Sequence, residues 1–192
     1  MNQTWFRIFK WTVYGALAID TILFLSVEGK VNAFIDSMAW IVLIGVMEYE
    51  SSTLGEGYSG RREKLILTAL NVFAYSMIVY SIVGYFAEGQ WTDVVNDMSW
   101  LGVCAVLVYQ MYAPGDYEGN EYRAVKLIKA ALYFTLIVCA VIWTVVSQKI
   151  LDAVDAWLWL LCFAVIELNV FGFEADQEER AAEEASEAAG VA

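Results

Sequence analysis

Long apolar runs separated by alternately short and long polar connectors set the pattern of this chain. Runs close to the roughly 20 residues needed to cross hydrocarbon extend over Trp11 to Val27, Leu65 to Ala87, Ala130 to Gln148 and Ala156 to Phe173. Two shorter runs, around Ala33 to Glu48 and Met98 to Ala113, lie between them. Read as helices, these segments predict an all-α polytopic membrane protein with transmembrane helices at about 11–27, 33–48, 65–87, 98–113, 130–148 and 156–173. The connector lengths pair the helices as three hairpins, which places both termini on one side of the bilayer.

Basic residues give the orientation, because Lys and Arg near helix ends are retained in the cytoplasm. With the N-terminus inside, Arg7, Lys10, Arg61, Arg62, Lys64, Arg123, Lys126, Lys129 and Arg180 are cytoplasmic, and only Lys30 and Lys149 are outside. The expected location is thus a plasma or inner membrane, with both termini in the cytoplasm. The first apolar run is longer than a signal-peptide core and lacks a small-residue cleavage site, so it reads as a retained signal anchor.

The stretches SVEGKVNAFIDSMAW and FAEGQWTDVVNDMSW align at a constant offset of 60, pairing Glu28 with Glu88, Gly29 with Gly89, Met38 with Met98 and Trp40 with Trp100. LDAVDAWLWLL supplies a fainter third copy with Trp157 in the tryptophan position. Each unit reads as a basic start, a long helix, an acidic outer turn, a tryptophan and a shorter helix. Repeats of this kind build transport proteins whose binding sites lie where the units meet. Duplication of a stable hairpin is the simpler explanation.

Composition narrows the function. The 192 residues are 60% hydrophobic and 18% charged, with mean hydropathy +0.55, which excludes a disordered chain and disfavours a soluble globule. A net charge of −12 disfavours nucleic-acid binding, which needs a basic footprint. The chain has no histidine, which removes imidazole metal ligands, imidazole proton shuttles and Ser-His or Cys-His nucleophiles. Residues 174–192 form an acidic Ala/Glu-rich cytoplasmic tail with no core-forming pattern, a possible contact for a basic protein partner.

Acids away from helix ends carry the chemical expectation. Asp20 lies nine residues into the first run, about 14 Å from Trp11 and near the middle of the hydrocarbon. Glu50, Gln110 and Glu167 each follow the tryptophan of their hairpin by ten residues. The polar segment after Glu50 suggests that it faces an inner vestibule. With no Lys or Arg inside the apolar runs, such carboxyl groups face the bundle interior and take up a proton, a cation or an interhelical hydrogen bond. Asp20, Glu167, Glu50 and Gln110 are therefore the expected ion- or proton-binding residues, with Asn71, Tyr75, Tyr109 and Asn169 as polar neighbours.

Other features read as structural. Trp40, Trp100 and Trp157 are expected to anchor the membrane interface. Asp36, Asn96, Asp97, Asp152 and Asp155 stand at the starts of the second helix of each hairpin and are expected as N-caps, in preference to an outer metal site. Cys104, Cys139 and Cys162 lack metal-ligand spacing and read as small hydrophobes. GEGYSG at Gly55 to Gly60 matches a dinucleotide fingerprint in letters, without the βαβ context it needs. No cofactor and no catalytic constellation are expected. The leading expectation is a small cation or proton channel or transporter-like bundle. The alternatives are a non-catalytic membrane scaffold that recruits a partner through its tail and, last, a lipid- or quinone-active enzyme.

Overall fold

A computed structural model describes residues 3–52, 60–112 and 120–164. Helix α1 is Gln3–Ser26, α2 is Val31–Ser52, α3 is Arg61–Ala87, α4 is Trp91–Tyr112 and α5 is Asn120–Val141. The last of these continues as a π-helical segment, Ile142–Ser147, and α6 occupies 150–164. Among the described residues all regular structure is helical, as the run lengths predict. Arg7–Ser26, Val31–Glu50, Arg61–Ala87 and Glu121–Ser147 are each long and apolar enough to cross a membrane.

The helices begin earlier than the apolar runs. Val31, Trp91, Asn120 and residue 150 start elements expected near 33, 98, 130 and 156. Apolarity alone trims the first turns of α4, α5 and α6 because they contain acids: Asp93, Glu121 and Asp152. An acid is nonetheless well placed there, since the unpaired N–H groups of a helix start carry partial positive charge. The cap reading of Asp36, Asn96, Asp97, Asp152 and Asp155 is accordingly overturned: all five lie inside helices, up to two turns from the start.

Tight turns join α1 to α2, α3 to α4 and the π-helical segment to α6. Gly29 and Gly89 adopt left-handed φ values of 64° and 71°, where a Cβ is unfavourable, and Gln148 adopts 51° despite carrying one. The carbonyls of the next residues, Lys30, Gln90 and Lys149, accept the N–H of Phe34, Val94 and Ala153 at 3.1, 3.1 and 2.9 Å, opening α2, α4 and α6.

In the bundle, α2 packs against α1 and α3, and α4 against α3 and α5. Small residues permit close approach: a Cβ on Gly102 would lie 2.9 Å from Leu132 Cδ2, and one on Gly84 would lie 2.9 Å from Asn32 Nδ2. Trp40, Trp100, Trp159 and Phe163 are the large rings of the core. Trp40 meets Trp159 edge-on at 6.4 Å, and Trp100 lies 4.3 Å from Phe163. Trp40 and Trp100 are only 4% and 3% exposed, so these two indoles pack within the core of the bundle. Trp157 is exposed, as are Trp11 and Trp91.

The polarity of the bundle is that of a protein in an apolar solvent. Ile19, Val72, Phe134 and many other large apolar side chains face outward, whereas Asp20, Asp36 and Asp97 are buried. Thr21 and Ser99 satisfy their hydroxyls within their own helices, donating to the Leu17 carbonyl at 2.8 Å and the Val95 carbonyl at 2.7 Å, whereas the buried Ser81 hydroxyl has no partner.

Candidate functional site

At the end of the bundle where the three tight turns meet, Asp36, Asp93, Asp97, Asp152 and Asp155 line one cavity of about 30 Å³, together with Tyr85, Asn96 and Trp143. A water needs about 10 to 15 Å³ of such space, so the chamber has room for a water or two, or one small ion. Asp20 adjoins it, within hydrogen-bonding reach of Asp155. Two carboxyl groups can form such a bond only if one of them carries a proton.

Helix geometry explains the convergence. Asp93 and Asp97 are four residues apart on α4, and Asp152 and Asp155 three apart on α6, so each pair shares a helix face. The first two turns of α2, α4 and α6 supply the five chamber aspartates, and the free N–H groups of a helix start favour negative charge nearby. The π-helical segment adds Trp143, whose carbonyl accepts the Lys149 N–H at 3.1 Å after the wide turn.

Polar satisfaction at the chamber is incomplete. Asp36 and Asp97 are 8% and 2% exposed, and Oδ1 of the former and Oδ2 of the latter have no hydrogen-bond partner. The same holds for Asp20 Oδ2. Tyr85 and Trp40 lie beside the Asp36 carboxylate, Asn96 Nδ2 is 3.5 Å from Asp97 Oδ1, and Trp159 Nε1 donates to Asp155 at 2.9 Å. An unpartnered buried carboxylate oxygen is costly, so these atoms need a proton, a water or a cation. Among the described residues no three carboxylate or thiolate groups converge as metal ligands do.

Two lysines serve the cluster. Lys30, in the α1–α2 turn, donates to both Asp152 oxygens at 3.1 and 2.9 Å and pairs with Glu28 at 2.6 Å. Burial works to lower the Lys30 ammonium, but the Asp152 and Glu28 carboxylates outweigh it and hold the group above its ordinary value. Lys149 lies within electrostatic range of Asp93. The pair expected outside against the general charge bias thus stands beside the aspartates as counter-ions.

The expected site residues divide between the two ends. Asp20 belongs to the aspartate layer, six residues from the end of α1 and thus about 9 Å from it, nearer the turns than the midplane reading implied. Glu50 and Gln110 lie at the far ends of α2 and α4, about 20 Å along the helix from Asp36 and Asp97, so they do not share the chamber. Both are half-buried, as is Asn71, and Glu50 lies within electrostatic range of Tyr75. Tyr109 donates to Glu121. Glu167 and Asn169 lie outside the described residues, as do Pro114, most of the GEGYSG motif and the acidic tail.

Asp93, Asp152, Asp155, Tyr85 and Lys30 were not anticipated as site residues. The available signal was the pair of Gly turns: starting the next helix at once after Gly29 and Gly89 places Asp36 and Asp97 inside it.

A second cavity, about 500 Å³ and mostly apolar, lies between α1, α2 and α6 toward the opposite end. Its carboxylate, Glu48, pairs with Lys10 and accepts the Tyr14 hydroxyl at 2.7 Å. The chain matches no protein-family model, no curated protein and no solved structure.

Proposed function

We propose that the protein is a proton-handling, transporter-like membrane bundle in which six helices cross the bilayer as three hairpins and the aspartate chamber loads protons from the outer side. The observation that carries this reading is the pair of unpartnered, buried oxygens of Asp36 and Asp97 on a cavity of about 30 Å³. That volume suits a proton with a water or two and excludes an organic substrate. The absence of a metal-like triad among the described residues favours a proton over a divalent ion.

In the proposed cycle, a proton entering beside Tyr85 is held by Asp36, Asp93 or Asp97, and the adjacent Asp20–Asp155 pair shares another. Below the chamber, Trp40, Trp100, Trp159 and Phe163 form an apolar layer. This supports an occluded carrier in preference to an open pore, because a continuous pore needs a polar path past these rings. Glu50 and Gln110 then line the inner mouth. The basic starts of α1, α3 and α5 occupy that inner end, in keeping with retention of positive charge in the cytoplasm.

The test is proton uptake into liposomes holding the full chain, read with an enclosed pH dye under an imposed pH gradient. Wild-type protein is expected to exceed empty liposomes, and Asp36→Asn with Asp97→Asn to return uptake to that background. Uptake equal in wild type and variants, or no uptake above empty liposomes, overturns the reading.

A further inference from the structure

Beside the chamber lies a larger cavity of about 380 Å³, lined by Lys30, Asn32, Ala33, Tyr85, Glu88 and Gln90 among others. Ala33 and Tyr85 belong to the walls of both spaces, so they form the partition between them. Lys30 stands in the wall of the larger cavity while its ammonium reaches Asp152 in the wall of the smaller one. That ammonium also lies 5.7 Å from the ring of Phe24, another chamber residue. The charged groups facing it are Glu28 on its own turn, Asp152 on α6 and, at longer range, Asp93 on α4.

A pocket of carboxylates with free oxygens is ordinarily a site for sodium or potassium as well as for protons, since small cations are drawn to the same field. Here one monovalent cation, covalently held, already stands at the edge of the chamber on both oxygens of Asp152. It carries the charge of a sodium ion, occupies carboxylate oxygens that such an ion would use, and cannot exchange. A proton needs no vacant coordination sphere, because it binds to a single oxygen that Lys30 does not touch.

We infer that Lys30 is the specificity-determining residue of the chamber: its ammonium stands in for a monovalent metal cation, so that protons load the aspartates and sodium or potassium do not, with the larger cavity as the outer vestibule. This rests on the proton-handling reading above.

The experiment is proton uptake by liposomes containing the full chain, measured with sodium, potassium or choline as the sole external cation. Choline is too large for the chamber and reports the uninhibited rate. Wild-type uptake is expected to be the same in all three salts. Lys30→Met is expected to show a several-fold loss of uptake in sodium or potassium relative to choline, and Lys30→Arg to restore indifference. Lys30→Gln, which keeps a hydrogen-bond donor without charge, gives the same comparison if the Met variant does not fold. Uptake by the Met or Gln variant that stays independent of the cation overturns the assignment. If wild-type uptake does not depend on Asp36 and Asp97, the proton reading itself fails, and this inference falls with it. Access is checked separately: Gln90→Cys is expected to react with a membrane-impermeant thiol reagent added outside. Cys104, Cys139 and Cys162 are at most 2% exposed and give little background. Failure of Gln90→Cys to react removes the vestibule from the assignment.

Discussion

Asp97 is 2% exposed, with one carboxylate oxygen unpartnered, so an amide in its place retains the shape and removes the charge. Asp97→Asn is therefore expected to leave thermal stability in detergent unchanged or raise it, while abolishing proton uptake. A loss of folding on that conservative change would assign Asp97 a structural role instead. Phe163 offers the contrast, since it is fully buried against Trp100 and has no polar atom. Phe163→Ala is expected to destabilise by about 3 to 5 kcal/mol through the cavity it leaves, measured by unfolding in mixed micelles. Lys30 supplies a pH dependence. Its bound state lies above its ordinary value, so its contribution is complete below that value and is lost as pH rises through the higher folded one. Wild-type melting temperature is expected to fall above about pH 10.4, and to fall less in Lys30→Met. An identical alkaline profile for both would show that the Asp152 and Glu28 contacts contribute nothing to stability.

The turns decide where each element begins, and their chemistry differs in one place. Gly29 and Gly89 hold left-handed backbone at no steric cost, whereas Gln148 holds it with a side chain. Gln148→Gly is expected to stabilise by about 1 kcal/mol in the same unfolding measurement, and Gly89→Ala to destabilise by a similar amount. Apolar run length made the existence and order of the helices legible in the sequence. It failed at the helix starts because a first turn with free N–H groups tolerates acids that a hydropathy reading takes for loop. Asp36, Asp97, Asp152 and Asp155 were consequently assigned to caps when they are interior residues. Displacements of two, seven and six residues at the starts of α2, α4 and α6 were enough to hide most of the chamber.

The whole bundle separates a polar cluster at its turn end from a basic and acidic rim at the other, with an aromatic layer between them. Asp20 was legible as a buried acid because it interrupts an apolar run. Its partner Asp155 was not, since pairing between α1 and α6 is a tertiary fact that no local spacing contains. Glu50 and Gln110 were grouped with Asp20 by their distance from tryptophans. That ruler misled because Asp20 lies near the turn end of α1, whereas Glu50 and Gln110 lie near the opposite ends of α2 and α4. In the proposed orientation the chamber faces outside, so residues in the α2–α3 and α4–α5 connectors are expected to be protected from impermeant reagents in intact cells.

The most direct measurement is infrared spectroscopy of the reconstituted protein during a pH titration, following the carbonyl band of protonated carboxyl groups. Wild-type protein is expected to show a carboxyl band whose intensity changes with pH, and Asp36→Asn and Asp97→Asn are each expected to remove part of it. A carboxyl band that does not respond to pH, or one that both variants leave intact, would contradict exchangeable protons in the aspartate chamber.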